Sequence, residues 1–249
     1  MEVHHHSHTS RKKWTHYFWE FLMLFLAVFC GFLAEYQLEH KIEKDREKQY
    51  MQSMVRDLVA DTASFNENLP FKLERIAAID SLFDYFSVHR DEKTIPGYVH
   101  NLLRRATWDR NYNRNKSTIS QLKNSGGMRL VRKQKVADAI MNYDFEWERA
   151  DKNYNDAQGL NGELMNEYIR KTLNDYKLLP YYKANNTGGA RLPEDPTITV
   201  AINTTYLMEI LNHLHKVKAS TKNQMDFYQG INKMAENLIT QIKKEYHLK

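Results

Sequence analysis

The chain has 249 residues, of which 42% are hydrophobic and 27% are charged, so it is long enough and apolar enough to bury a core. Only 9 glycines and 5 prolines occur, which disfavours a β-sandwich or barrel with many tight turns. The formal net charge is +5, but basic residues alternate with acidic ones, which is typical of solvated helix faces and not of a nucleic-acid-binding stripe. The single cysteine, Cys30, excludes an internal disulfide.

Residues 1–13 form a basic, histidine-rich tail. Its most crowded residues are His4, His5, His6 and His8. Imidazoles at this density bind divalent transition metals even on a flexible peptide, so the tail predicts a zinc site. An incidental disordered tail and an expression tag are the alternatives.

Residues 14–36 form an apolar segment with aromatic rings at both ends. Residues 21–34 contain no polar side chain, and the flanking Trp14 and Tyr36 are amphipathic rings that favour the lipid–water interface. A bilayer requires about 20 such residues, so the segment predicts a transmembrane helix. A cleaved signal peptide is the alternative, but the end of the segment is a poor cleavage site.

The charges before this helix predict its orientation. Arg11, Lys12 and Lys13 directly precede it, and basic residues are retained on the cytoplasmic side of membranes. We therefore expect the N-terminus in the cytoplasm and residues 37–249 on the other side of the membrane.

One face of the predicted transmembrane helix carries small residues and two carboxylates. Its members follow one another at spacings of three and four: Glu20, Leu24, Ala27, Gly31, Ala34 and Glu35. Small residues allow helices to approach closely, so this face predicts a packing surface against another helix. The alternative is that the two glutamates lie in the headgroup regions and that the small residues are incidental.

After the membrane segment, residues 37–66 are dense in both charge signs and predict a helical stalk. Residues 67–249 predict a helical domain, because apolar residues recur with helical period and no alternating strand pattern is visible. Five helices are predicted in this domain. The first begins near Pro70, the second spans 98–106 and the third begins at Thr118. The fourth spans 128–176, with Gly159 and Gly162 as candidate breaks, and the fifth spans 199–246. Residues 181–197 predict the longest loop. The fold class is all-α, with one N-terminal transmembrane helix continuing into an antiparallel helical bundle.

Three polar features of this domain are candidates for a site. Residues 108–116 combine aromatic, Arg and Asn side chains, and we interpret them as a capped connection, with a ligand-contacting loop as the alternative. Thr118 followed by Gln121 indicates a capping box at a helix start. Asp57 and Asp61 share a helix face, and we interpret them as a solvated patch although paired carboxylates can perform acid–base chemistry.

Residues 122–131 read Leu-Lys-Asn-Ser-Gly-Gly-Met-Arg-Leu-Val. With Glu20-Phe21-Leu22 and Gly31-Phe32-Leu33-Ala34-Glu35, this motif resembles a group of uncharacterised single-pass membrane proteins from Bacteroidota. Those proteins similarly have a short N-terminal tail, one membrane helix and an outer α-helical domain. The resemblance implies a location in the bacterial inner membrane with most of the chain in the periplasm, and it brings no catalytic residues.

These features predict a non-enzymatic structural or accessory membrane protein that oligomerises or joins a larger inner-membrane assembly. We expect membrane lipid, copies of the same chain or another inner-membrane protein as partners, and no nucleic acid. The alternative is a periplasmic ligand-sensing or metal-binding module that signals through a partner. An enzyme ranks third, because the sequence lacks a Gly-rich phosphate loop, Gly-x-Ser-x-Gly, Cys-x-x-Cys and His-Glu-x-x-His.

Overall fold

The structure is a computed structural model that describes residues 14–172, 192, 195 and 197–248, without the side chains of residues 155–161 and 168. Over these residues the chain is mostly helical. Its elements in chain order are α1 (Trp14–Val88), β1 (Thr94–Pro96), α2 (Gly97–Thr107), α3 (Ser117–Asn124), a 3₁₀ helix (Gly127–Leu130), α4 (Gln134–Thr172), β2 (Thr199–Ala201) and α5 (Thr204–Tyr246). The chain divides into two compact units, Met1–Tyr50 and Met51–Lys249.

The N-terminal unit contains the apolar first part of α1. By length and composition, this helix includes a segment able to cross a membrane, and none of its most apolar 18-residue window is buried. The long apolar N-terminal helix expected from the sequence is therefore present.

In the C-terminal unit, α1 buries one side chain every three or four residues along a single stripe. The stripe comprises Met51, Met54, Leu58, Asp61, Phe65, Asn68, Lys72, Arg75, Ile79, Leu82 and Phe86. Long helices with this repeat pack side by side, because the stripe stays on one side of the helix. α5 carries a similar stripe from Leu207 to Ile242, and α4 packs along α5.

The prediction of a new helix near Pro70 is wrong, because α1 continues through Pro70 without interruption. Proline removes a hydrogen bond and costs about 3 kcal/mol inside a helix. The buried stripe keeps the same register from Phe65, before the proline, to Ile79, after it. We attribute the continuity to the packing of this stripe, which outweighs the local cost.

A two-stranded antiparallel sheet was not predicted. Ile95 of β1 pairs with Val200 of β2, and both side chains are buried. Strands of three residues are too short to show an alternating pattern in the sequence. Because residues 199–201 form β2, the last helix begins at Thr204 and not at the predicted residue 199.

The other predicted helices agree in kind but differ at their ends. α2 is within one residue of the predicted 98–106 at each end, and α4 is a single helix without the candidate breaks at Gly159 and Gly162. A 3₁₀ helix replaces the predicted beginning of α4, after Gly126, which has a positive φ of 66°. Most of the predicted loop 181–197 lies outside the described residues.

The apolar core of the C-terminal unit brings together α1, α2, α5 and both strands. It includes Ile79, Leu82, Phe86, Ile95, Val99, Leu103, Val200, Ile210 and Leu214. This core holds α2 in place along its length, and α2 leads directly into residues 108–116.

Candidate functional site

Residues 108–116, here called the connecting segment, place Asp109 in a buried cluster of charges. Lys72 Nζ lies 2.5 Å from Asp109 Oδ1, and Arg75 Nη1 lies 2.8 Å from Oδ2. All three side chains are at most 7% exposed. Lys72 also donates to Gln224 Oε1 at 3.3 Å. The carboxylate of Asp109 is therefore the counterion of two buried cations that lie on the buried stripe of α1.

Aromatic rings surround the amino group of Lys72. Its Nζ lies 5.5 Å from the ring centre of Tyr112 and 5.4 Å from that of Tyr154, within the range of cation–π attraction. Burial lowers the pKa of Lys72 below its ordinary value, and the attraction of Asp109 opposes that change. Burial also raises the pKa of Tyr112, to about 12, so this hydroxyl remains protonated.

Two carboxylates of α1 hold the beginning of α3. Asp57 Oδ2 accepts a hydrogen bond from the backbone N–H of Thr118 at 2.8 Å, and Asp61 Oδ1 accepts from the N–H of Asn115 at 2.6 Å. Asp61 Oδ2 also accepts from the hydroxyl of Tyr143 at 2.6 Å. Carboxylates at this position stabilise a helix start, because they satisfy N–H groups that have no partner within the helix.

This arrangement corrects two sequence predictions. Asp57 and Asp61 are 8% and 5% exposed, so they do not form a solvated patch. The capping box of Thr118 and Gln121 is wrong too, because the residue before α3 is Lys116 and makes no side-chain cap. The carboxylate of Asp57, distant in the sequence, accepts from the N–H of Thr118, the group that the side chain of Gln121 would bind in a capping box.

A second ion cluster connects the connecting segment to α3 and α4. Asp144 accepts from Arg114 Nη2 and, at 2.7 Å, from Lys123 Nζ. The guanidinium of Arg114 lies 5.7 Å and 5.9 Å from the ring centres of Tyr143 and Trp147. Burial by itself raises the pKa of Asp144, but the hydrogen bonds from Lys123 and Arg114 outweigh it and hold the pKa below its usual value.

An open groove of about 690 Å³ lies over these contacts, lined by Ala60, Asp61, Ser64, residues 113–117 and Ser120. Its hydroxyl and amide groups suit hydrogen bonding to a small polar ligand. Both oxygens of Asp61 already accept short hydrogen bonds, so this carboxylate is not free to act as a base. An anion is disfavoured as well, since the carboxylates of Asp57 and Asp61 already occupy the start of α3.

The remaining predicted residues lie apart from this cluster. The six residues of the predicted packing face are all exposed on α1, where His16 Nε2 lies 3.0 Å from Glu20 Oε1. The histidines of the tail lie outside the described residues, so the zinc site stays a prediction. Within the part of the chain that the structure describes, no group of three or more His, Cys, Asp or Glu side chains is placed to hold a metal ion.

The contributions of the buried acids Asp61 and Asp144 to the free energy of unfolding should depend on pH in opposite ways. Burial raises the pKa of Asp61, and the nearby negative charge of Asp57 adds to this effect, despite the hydrogen bonds from Asn115 and Tyr143 and the positive charge of Arg114. The ionised Asp61 therefore opposes folding at neutral pH, and this effect disappears as the pH falls through the folded pKa towards about 3.9, the value in unfolded chains. We compare the free energy of unfolding of the native protein with that of Asp61→Asn. The native value minus the variant value should rise as the pH falls from 7 to about 4.

The matched control for this experiment is Asp144→Asn. Because the folded pKa of Asp144 is below its unfolded value, its contribution is present above about pH 4 and is lost as the pH falls through the folded pKa. Urea unfolding at each pH measures both differences. If the free energy of unfolding of the native protein minus that of Asp61→Asn falls as the pH decreases, the pKa of Asp61 is not raised in the folded protein.

No protein-family model matches this chain, and neither the curated proteins nor the solved structures contain a significant match to it. The resemblance to the Bacteroidota group therefore stays a prediction that rests on the residues quoted for it.

Proposed function

We propose that this protein is a non-enzymatic structural or accessory protein of a bacterial inner membrane. Its N-terminus lies in the cytoplasm and its C-terminal unit in the periplasm. The first part of α1 crosses the membrane and binds either a second copy of the chain or another inner-membrane protein. The helical C-terminal unit provides the remaining surface of that assembly.

The exposure of apolar side chains on the first part of α1 carries this proposal. Trp14 is 83% exposed, Leu24 69% and Phe32 67%, and the apolar residues between them are exposed as well, except Leu22, which is partly buried. Burying one large apolar side chain contributes about 1.5–3 kcal/mol, so a row of them in water is strongly unfavourable. A lipid bilayer removes this cost, and the aromatic residues at both ends favour its two interfaces.

The two sides of this helix segment differ in the size of their residues. Phe21, Phe25 and Phe29 form a row of stacked rings, with ring centres 6.3 Å and 5.9 Å apart. With a helical turn of 100° per residue, the predicted packing face around Ala27 and Gly31 lies on a different side of the helix. A bulky side suits contact with lipid chains, whereas a side of small residues suits close contact with another helix.

The direction of the contacts in the C-terminal unit supports the antiparallel bundle in this proposal. Asp61 and Phe65 of α1 share a cavity with Asn232 of α5, whereas Asp80, later in α1, contacts Lys218, earlier in α5. The contacts of α4 and of Lys133, the residue before it, with α5 run in the same sense, from Lys133 with Glu245 to Lys171 with Tyr206. This order of contacts supports an arrangement in which both helices run opposite to α5, as neighbours in an antiparallel bundle do.

Replacing Gly31 with leucine should dissociate the assembly. A Cβ atom at Gly31 would meet no atom of the chain within 4 Å, so the larger side chain does not disturb the fold of one protomer. It does prevent close approach of a second helix, and we expect the dissociation constant to rise at least about tenfold, which is 1.4 kcal/mol. Native mass spectrometry of the full chain in mild detergent measures the change.

The matched control is Phe25→Leu, a substitution on the row of stacked rings. It should leave the assembly unchanged, because that side of the helix faces lipid in this proposal. If Gly31→Leu assembles like the native chain, or if both variants dissociate equally, the small residues are not the contact surface and the proposal fails in this form.

A further inference from the structure

A small internal cavity lies between α1, the connecting segment, α4 and α5. Its volume is about 10 Å³, and its polar lining consists of Asp61, Tyr112, Tyr143, Trp147, Tyr228 and Asn232. The rings are close together: the centres of Tyr112 and Tyr228 are 4.3 Å apart, and those of Trp147 and Tyr228 are 5.2 Å apart. Polar and aromatic groups thus enclose a space inside an otherwise packed core.

Several buried polar atoms of this lining have no hydrogen-bond partner among the described residues. They include the hydroxyl groups of Tyr112 and Tyr228, the Nε1 atom of Trp147 and the Oδ1 atom of Asn232. Leaving such a group without a partner costs about 1–3 kcal/mol, so it is unusual for several to occur around one space. The amide nitrogen of Asn232 donates to Glu236 at 3.1 Å, which fixes its oxygen as the atom that needs a donor.

The size and chemistry of the cavity match a single water molecule. A cavity needs about 10–15 Å³ of water-accessible space to hold one water, and the water needs two to four polar partners. The tyrosine hydroxyl groups can donate a hydrogen bond, whereas Asn232 Oδ1 can only accept one. The molecule in the cavity therefore has to accept from a hydroxyl group and donate to the amide oxygen. We propose that one ordered water molecule occupies this cavity, donates to Asn232 Oδ1 and accepts from the hydroxyl groups of Tyr112 and Tyr228.

Asp61 lies between this cavity and the open groove. Its side chain lines both the internal cavity and the open groove, and it is held in place by Tyr143 on one side and by Asn115 on the other. The water connects α5 to the connecting segment, because its partners Asn232 and Tyr112 lie on these two elements.

Hydroxyl-radical footprinting of the full chain in mild detergent tests this proposal. Radicals produced from a bound water modify the buried side chains next to it. After correction for intrinsic reactivity, we expect Tyr228 and Trp147 to be modified more than Phe86, which is equally buried in the apolar core away from the cavity. Modification of both residues at the level of Phe86 would overturn the proposal.

Substitution of Asn232 provides the second part of the test. Asn232→Leu removes the acceptor and fills the space with an apolar side chain, so modification of Tyr228 should fall several-fold. Asn237→Leu, at an exposed position of the same helix, should not change it. If Asn232→Leu does not fold, the footprinting is repeated with Tyr228→Phe. This change removes one hydrogen-bond partner of the water, so modification of Trp147 should fall. Unchanged modification in the folded variant overturns the proposal.

Discussion

Replacing Asp109 with alanine is expected to destabilise the C-terminal unit by about 3–5 kcal/mol, because it leaves Lys72 and Arg75 buried without a counterion. Removal of one member of a buried ion cluster costs far more than the net contribution of the cluster, since the remaining charges cannot return to water. Arg75 Nε also binds the carbonyl oxygen of Ala106 at 2.8 Å, so the loss extends to the end of α2. The cooperative loss of helical circular dichroism with urea measures the effect.

The control is Asp80→Ala, which removes an aspartate from an exposed ion pair of α1. Asp80 pairs with Lys218, and their side chains are 47% and 23% exposed, so this change should cost less than about 1 kcal/mol. Adding Lys72→Met to Asp109→Ala should recover part of the loss, because one uncompensated charge is then removed. Equal effects of the two alanine variants would show that Asp109 is not a buried counterion.

Replacing Leu82 with alanine should cost about 2–5 kcal/mol by creating a cavity in the apolar core. Leu82 is fully buried among residues of α2, α5 and both strands. The same urea titration gives the free energy of unfolding.

Leu73→Ala is the matched change on the same helix. Leu73 is 52% exposed, so its loss should change the stability by no more than about 0.5 kcal/mol. A similar cost for both substitutions would mean that the core described for the C-terminal unit does not contribute to its stability.

The helices and their buried faces could be predicted largely from residue spacing. Leu58, Ile210, Leu214 and Ile231 follow the helical period in the sequence, and all four are buried. Helical periodicity persists over many residues, so single unfavourable positions do not hide it. Pro70 shows the limit of local rules, because its effect on the helix depends on the packing of distant side chains.

The charged cluster was missed although the sequence contains a signal for it. Lys72 and Arg75 follow the same spacing of three and four residues as Phe65 and Ile79, which places both cations on the buried stripe of α1. Charged residues at such positions require a buried partner of opposite sign. The sequence offers several candidates, so Asp109 could not be identified as the partner before the fold was known.

The role of Asp57 could not be predicted at all. It binds the backbone N–H of Thr118, and a carboxylate 61 positions earlier in the chain leaves no trace in the local sequence of α3. Local capping rules compare residues within one helical turn, whereas this cap depends on how two separate helices pack. The groove has the same origin, because α1 and the connecting segment form it together.

The pairing of β1 with β2 affects the order in which this protein folds. The two strands are separated by about 100 residues, so their pairing must pay the loop-closure entropy of that whole interval. Helices form from local contacts within about a microsecond, whereas contacts between distant segments are slow. The bonds of Ile202 N–H with Lys93 O and of Gly97 N–H with Ile198 O therefore form late, after the intervening helices have brought these segments together. In a cell, the C-terminal unit can complete its core only when the last strand and helix have left the ribosome.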